Sequence, residues 1–161
     1  MISLKKRNQG FTIVELLIVI VVIGILALLV ITTYSGIQAK ARNSKRQTDI
    51  QSLQTQLEAF FSQNGYYPSL TDMKGTAAGG WIDTNMKSLD KNALIDPSNT
   101  TQSNQLVAGT GTAKTYAYNV TQSDGSTPCE SDDTTCAKYT LTAEYEGTVN
   151  GQDKYIKSNL D

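Results

Sequence analysis

The chain contains no histidine, so it lacks the side chain that most often shuttles protons near neutral pH. No glycine-rich phosphate loop, nucleophile elbow or cluster of metal ligands takes its place, and the sequence reads as that of a non-enzyme. Proline is scarce: there are three, the first being Pro68, so nothing upstream forces a helix to break. Cysteine is limited to Cys129 and Cys136. A pair spaced this way without histidine is a poor zinc site, and an even pair in a small domain reads as a disulfide made outside the cytosol, closing a short acidic loop through Glu130, Asp132 and Asp133. An excess of cations is missing too, with 14 Lys and Arg against 15 Asp and Glu. Nucleic acid is therefore not expected as a primary partner, since such binders carry a basic footprint.

What the chain does have is an apolar run at residues 10–31, uncharged except for Glu15. As a helix rising about 1.5 Å per residue, it is long enough to cross a bilayer core of about 30 Å. An ionised carboxylate in hydrocarbon costs several kcal/mol, so it is kept only where it finds a partner. Two simpler readings concern the whole run. Lys5, Lys6 and Arg7 form a basic leader and Ala39, Lys40 and Ala41 supply an A-x-A sequence, as in a secretory signal. Yet a signal's apolar core spans about 7 to 15 residues, whereas this one continues without a polar break from Leu16 to residue 31. A plain uncleaved anchor is the other simple reading, and it leaves Glu15 without a purpose.

The combination of a short basic leader, Gly10, Phe11, Thr12, Glu15 and an unbroken apolar helix resembles the class III signal of type IV pilins and their pseudopilin relatives. The resemblance implies that a dedicated membrane peptidase cuts between Gly10 and Phe11 and methylates the new amine of Phe11. Residues 1–10 are then a leader, and Glu15 is the fifth mature residue. A free α-amine on Phe11 is protonated below a pKa of about 8. On a helix it shares a face with Glu15, four residues on. The carboxylate can pair with its own chain's amine or, as the family implies, with that of a neighbouring subunit docking into a filament. In a low dielectric, leaving either charge alone is far worse than pairing both. A carboxylate merely reaching headgroup water is the plainer alternative. Cleavage after Gly10 removes three basic and no acidic side chains, leaving 11 against 15 and a charge of about −4.

The remainder predicts an α+β fold: a long N-terminal helix, apolar over 11–31 and amphipathic over 32–63, packed on a small antiparallel sheet. Ile50, Leu53, Leu57, Phe60 and Phe61 recur at helical spacing and form the stripe that meets the sheet. Asn64 and Gly65 end the helix. Thr32 and Thr33 stand where many pilins carry a kinking proline, so a helix without a proline kink is expected, and Gly24 and Gly36 are its weak points. Residues 64–113 read as a connecting loop region, with 99–111 an exposed loop and Trp81 a packing residue. In 114–161, Tyr116, Tyr118 and Val120 alternate with polar neighbours, as do Tyr139, Leu141, Ala143 and Tyr145. Residues 147–151 read as a turn and 154–157 as a short return strand.

Two charged clusters bear on partners. Lys40, Arg42, Lys45 and Arg46 follow the apolar run. Attraction to a membrane surface, contact with acidic faces of neighbouring subunits and contact with DNA remain open for them, although Lys45 can also reach Asp49 at i+4. Asp124, Glu130, Asp132 and Asp133 sit among turn residues. No cofactor is expected; calcium is the one candidate there, suggested by crowded oxygen ligands and by the resemblance, without a recognisable ligand spacing. The expectation is a prepilin that polymerises into a type IV pilus supporting adhesion, motility or DNA uptake. Its partners are itself, the prepilin peptidase, the inner-membrane assembly platform and, before assembly, the membrane. It starts as a single-pass cytoplasmic-membrane precursor with its N-terminus inside and ends on the cell surface. A pseudopilin or minor pilin of a secretion or competence system, and a monomeric membrane-anchored binding domain, are the alternatives.

Overall fold

The computed structural model describes residues 10–75, 78–101, 106–112 and 114–160; Lys5, Lys6 and Arg7 lie outside the described residues. Helix α1 spans Ile13–Asn64 without interruption, through both Gly24 and Gly36. It stops where Gly65 takes a φ of +80° and its N–H donates to the Phe61 carbonyl at 2.7 Å. That left-handed step is the backbone state glycine adopts without steric cost. The chain divides into two compact units, Met1–Gln38 and Ala39–Asp161.

In the first unit, large aliphatic side chains from Ile13 to Ile31 are exposed on every face of α1. This helix is long and apolar enough to cross a membrane.

The second unit is built around a three-stranded antiparallel sheet in the order β1-β2-β3, with β1 Ala117–Gln122, β2 Cys136–Val149 and β3 Gln152–Ser158. Tyr118 lies opposite Leu141 and Val120 opposite Tyr139, so one face carries the apolar residues that the alternation predicts. Those residues share one core with Ile50, Leu53, Leu57 and Phe60 of α1. Each buried side chain of this size contributes about 1.5–3 kcal/mol. Rings finish the packing: Phe61 stacks on Tyr67 at 4.5 Å between centroids, Tyr67 meets Tyr139 edge-on at 4.6 Å, and Trp81 lies 5.3 Å from Phe60.

Three details differ from the sequence reading. Residues 64–113 are not only connection: α2 Leu70–Lys74, α3 Trp81–Asn85 and a 3-10 turn at Lys91–Leu94 lie within them. The first is started by a capping box in which Ser69 and Asp72 satisfy each other's backbone N–H. Stretch 99–111 is not uniformly exposed, because Asn99 and Leu106 are buried and Val107 bridges to Ala117 beside β1. The last hairpin turns at Asn150 and Gly151 alone, both with positive φ, as a two-residue hairpin loop requires. Gly147 and Thr148 belong to β2, where the pairing breaks between Glu144↔Lys154 and Val149↔Gln152. Four residues of β2 there oppose one of β3, forming an extended bulge.

Candidate functional site

Gly10 and Phe11 lie just outside α1 and are exposed, with no atom near enough to Gly10 to crowd even an added Cβ. The peptide bond between them is thus open to a protease. Thr12 is the residue before the helix. Its Oγ1 accepts from the Glu15 N–H at 3.2 Å, and its own N–H and hydroxyl donate to Glu15 Oε2 at 2.9 and 2.7 Å. This is a reciprocal capping box: two free donors at a helix start are satisfied, and the carboxylate sits at the positive end of the helix dipole. The Thr-x-x-Glu spacing at residues 12–15 was visible in the sequence as a helix start, and Thr12 is the residue that the sequence reading left without a role. In the uncut chain the Phe11 nitrogen is an amide, so Glu15 is held by Thr12.

The cation cluster is divided by the fold. Lys40 is exposed. Lys45 pairs with Asp49 at 2.8 Å, four residues along α1. Arg46, grouped by sequence with the surface and inter-subunit cations, is instead 0% exposed, because a polar network inside the subunit encloses it. Its Nε and Nη2 donate to the two oxygens of Asp96 at 2.7 and 3.0 Å, and its Nη1 donates to Asn43 Oδ1 at 2.8 Å. Nη1 also lies 3.0 Å from Glu146 Oε1. Arg42 reaches the same carboxylate through two donors, Nε at 2.7 Å and Nη2. Ser98 accepts from Arg46 and donates to Glu146.

The bulge in β2 aims Glu146 at this pair. Asn43 holds its backbone there: Asn43 Nδ2 donates to the Glu146 carbonyl at 3.1 Å, and the Glu146 N–H donates to Asn43 Oδ1 at 2.9 Å. One side-chain amide thereby replaces the strand partner that the bulge has lost. Two arginines and two carboxylates so join α1, the turn after the 3-10 helix, and β2. The Arg42 hydrogen bond, outweighing partial burial, holds Glu146 down at about 2. Burial pushes Asp49 up despite its bonds from Lys45 and Tyr116.

A further carboxylate ties the C-terminal part of the helix to the sheet. Glu58 accepts from the Tyr67 and Tyr139 hydroxyls at 3.0 and 2.8 Å and from the Leu160 N–H at 3.1 Å. Burial and then Glu58 push both phenols up, keeping them protonated as donors.

Cys129 and Cys136 form a disulfide with Cα atoms 5.9 Å apart. Asp133 lies close enough to both sulfurs for a shared ion, but bonded sulfurs are not thiolate ligands. In the acidic loop, both oxygens of Asp124 accept from Ser126 and Thr127, and Asp133 accepts from Thr135 and Gln122.

The family described as Prokaryotic N-terminal methylation motif matches residues 5–31. The type IV major pilin protein PilA of Myxococcus xanthus (strain DK1622) is 38% identical over 73 residues, which is 45% of this chain and 33% of that protein. The type II secretion system core protein G of Dickeya chrysanthemi is 38% identical over 66 residues, 41% of this chain and 43% of that protein. Core protein G of Escherichia coli (strain K12) is 38% identical over 63 residues, 39% and 43% of the two chains. The chain thus spans less than half the length of these relatives. No solved structure matches it. It carries the prepilin methylation motif, and its relatives are pilins and pseudopilins.

Proposed function

We propose that this chain, bearing the prepilin methylation motif and related to a type IV pilin and to core protein G, is a structural subunit that polymerises through α1. The observation that carries the reading is a helix exposed and apolar on all sides with one carboxylate, Glu15, held at its start beside an open Gly10–Phe11 bond. Prepilin peptidase cuts that bond and the Phe11 amine is methylated. The amine then replaces Thr12 as the partner of Glu15, in the same subunit or across the interface with the next. Until then the apolar face rests in the cytoplasmic membrane with the leader inside, and the assembly platform extracts it into a surface fibre. Burying that face against other copies supplies the association energy, while the charge pair sets the register.

Sheared surface fibres examined by cryo-electron microscopy, with mass spectrometry of the subunit N-terminus, test this reading. A fibre built of chains that start at methylated Phe11 supports it, and an intact Met1 in cell membranes without fibres overturns it. The core protein G relatives favour a second reading, a pseudopilin of a secretion system. Under that reading, deleting the gene leaves surface fibres in place and strands secreted enzymes inside the envelope.

A further inference from the structure

Three Asx-Gly dipeptides occur in the chain: Asn64-Gly65, Asp124-Gly125 and Asn150-Gly151. At such a dipeptide the glycine nitrogen, once deprotonated, can attack the side-chain carbonyl carbon of the preceding residue. A C–N bond forms, ammonia leaves from an asparagine, and a succinimide ring results. Water then opens the ring at either carbonyl to give aspartate or isoaspartate. Glycine permits the approach because it has no Cβ. The attack nevertheless needs a nitrogen that is not already donating its hydrogen, and a side chain free to swing.

The structure separates the three. The Gly65 N–H donates to the Phe61 carbonyl at 2.7 Å, and the Asn64 amide donates to the Phe60 carbonyl at 2.9 Å, so both reacting groups are tied to the last turn of α1. The Gly125 N–H donates to the Gln122 carbonyl at 2.9 Å. Hydrogen bonds from Thr127 and Ser126 hold the Asp124 carboxyl far below the usual range, so it stays ionised and has no good leaving group. Asn150 and Gly151 share the exposure of the other two pairs and differ from them in hydrogen bonding. Both are exposed, and among the described residues neither the Gly151 N–H nor the Asn150 side chain has a hydrogen-bond partner. In a two-residue hairpin loop the N–H of the second central residue points outward. The bulge also cuts this tip off from the regular ladder: past Glu144↔Lys154, only Val149↔Gln152 closes it. The tip can therefore open locally without unfolding the sheet.

We infer that the exposed hairpin turn at Asn150 and Gly151 is a site of spontaneous deamidation, converting Asn150 to aspartate or isoaspartate with release of ammonia. The product places a new carboxylate four residues before Lys154, at the edge of the regular ladder. In its isoaspartate form it adds a methylene to the backbone of a turn that needs two positive-φ residues, which loosens β3.

The test is peptide mapping of the full chain, folded in detergent micelles at mildly alkaline pH, against the same chain unfolded in urea. In the folded protein the acid form should accumulate at residue 150 roughly tenfold faster than at residue 64, because the latter must first release the end of α1. In urea the two sites should convert at similar rates. Asn150→Gln, whose ring closure is disfavoured by the extra methylene, should suppress ammonia release with an unchanged circular dichroism spectrum. Equal conversion at 64 and 150 in the folded chain would overturn the inference. So would an inert 150 that reacts only in urea, or wild-type ammonia release from Asn150→Gln.

Discussion

Glu15 stands at the head of an apolar run and Arg46 is buried inside the subunit, and the two charges differ in where their partners lie. Glu15 finds Thr12 within its own helix start, and under the processing proposed above that arrangement is local enough to be exchanged for a new amine. Glu15→Val should therefore insert into the membrane as the wild type does and fail to build fibres. Fibre yield equal to wild type in shearing assays would show that the apolar helix alone suffices. Arg46 finds its partners 50 and 100 residues away in the chain, in Asp96 and Glu146. Breaking a buried pair by neutralising one member leaves the other charge unpaired and costs about 3–5 kcal/mol. Asp96→Asn leaves Arg46 only the Glu146 carboxylate that it shares with Arg42, so it should lose more than about 1 kcal/mol but less than that full penalty in urea titrations, whereas Lys45→Ala, on a half-exposed cation, should change it by less than about 1 kcal/mol. The four cations look alike in sequence because charge type and spacing say nothing about what the fold brings opposite them.

At the scale of elements, the apolar stripe of α1 was legible from Ile50 onward, but the buried face begins two turns earlier. Asn43, Arg46 and Asp49 occupy the same helical face and are buried. Hydrophobic periodicity cannot reveal a face whose first turns are polar. The strands β1 and β2 followed from alternation. The bulge did not, since it depends on Gly147 at φ +75° and on Asn43 from another element. The Asn-Gly hairpin signal at 150–151 was present and was absorbed into a longer turn. The disulfide closes a seven-residue separation, and loop entropy assigns such a link about 2 kcal/mol. Double replacement of Cys129 and Cys136 by serine should lower the unfolding free energy from denaturant titrations by that amount and leave the β-sheet circular dichroism intact.

For the molecule as a whole, every residue of the core cluster lies in the second unit. A fragment beginning at Ala39 should accordingly be a soluble, cooperatively folding monomer by analytical ultracentrifugation and thermal melting, and aggregation of that fragment would contradict the division. Its acid sensitivity follows from Glu146. Because the folded-state value is depressed from 4.5 to about 2, the stabilisation from its arginine bonds is fully present above about pH 4.5 and is lost as pH falls toward 2. Asp49 shifts the opposite way, so its protonation favours the folded state and opposes part of that loss. Urea midpoints should fall between pH 4.5 and 2, and Glu146→Gln should flatten the fall. The long helix, its apolar half, the processing motif and the cysteine pair were determined by the sequence alone, because each depends on residues close together in the chain or on composition. Which cations are buried, where β2 bulges and which Asx-Gly step is free to react were decided only by tertiary structure, because each depends on what distant residues place beside it.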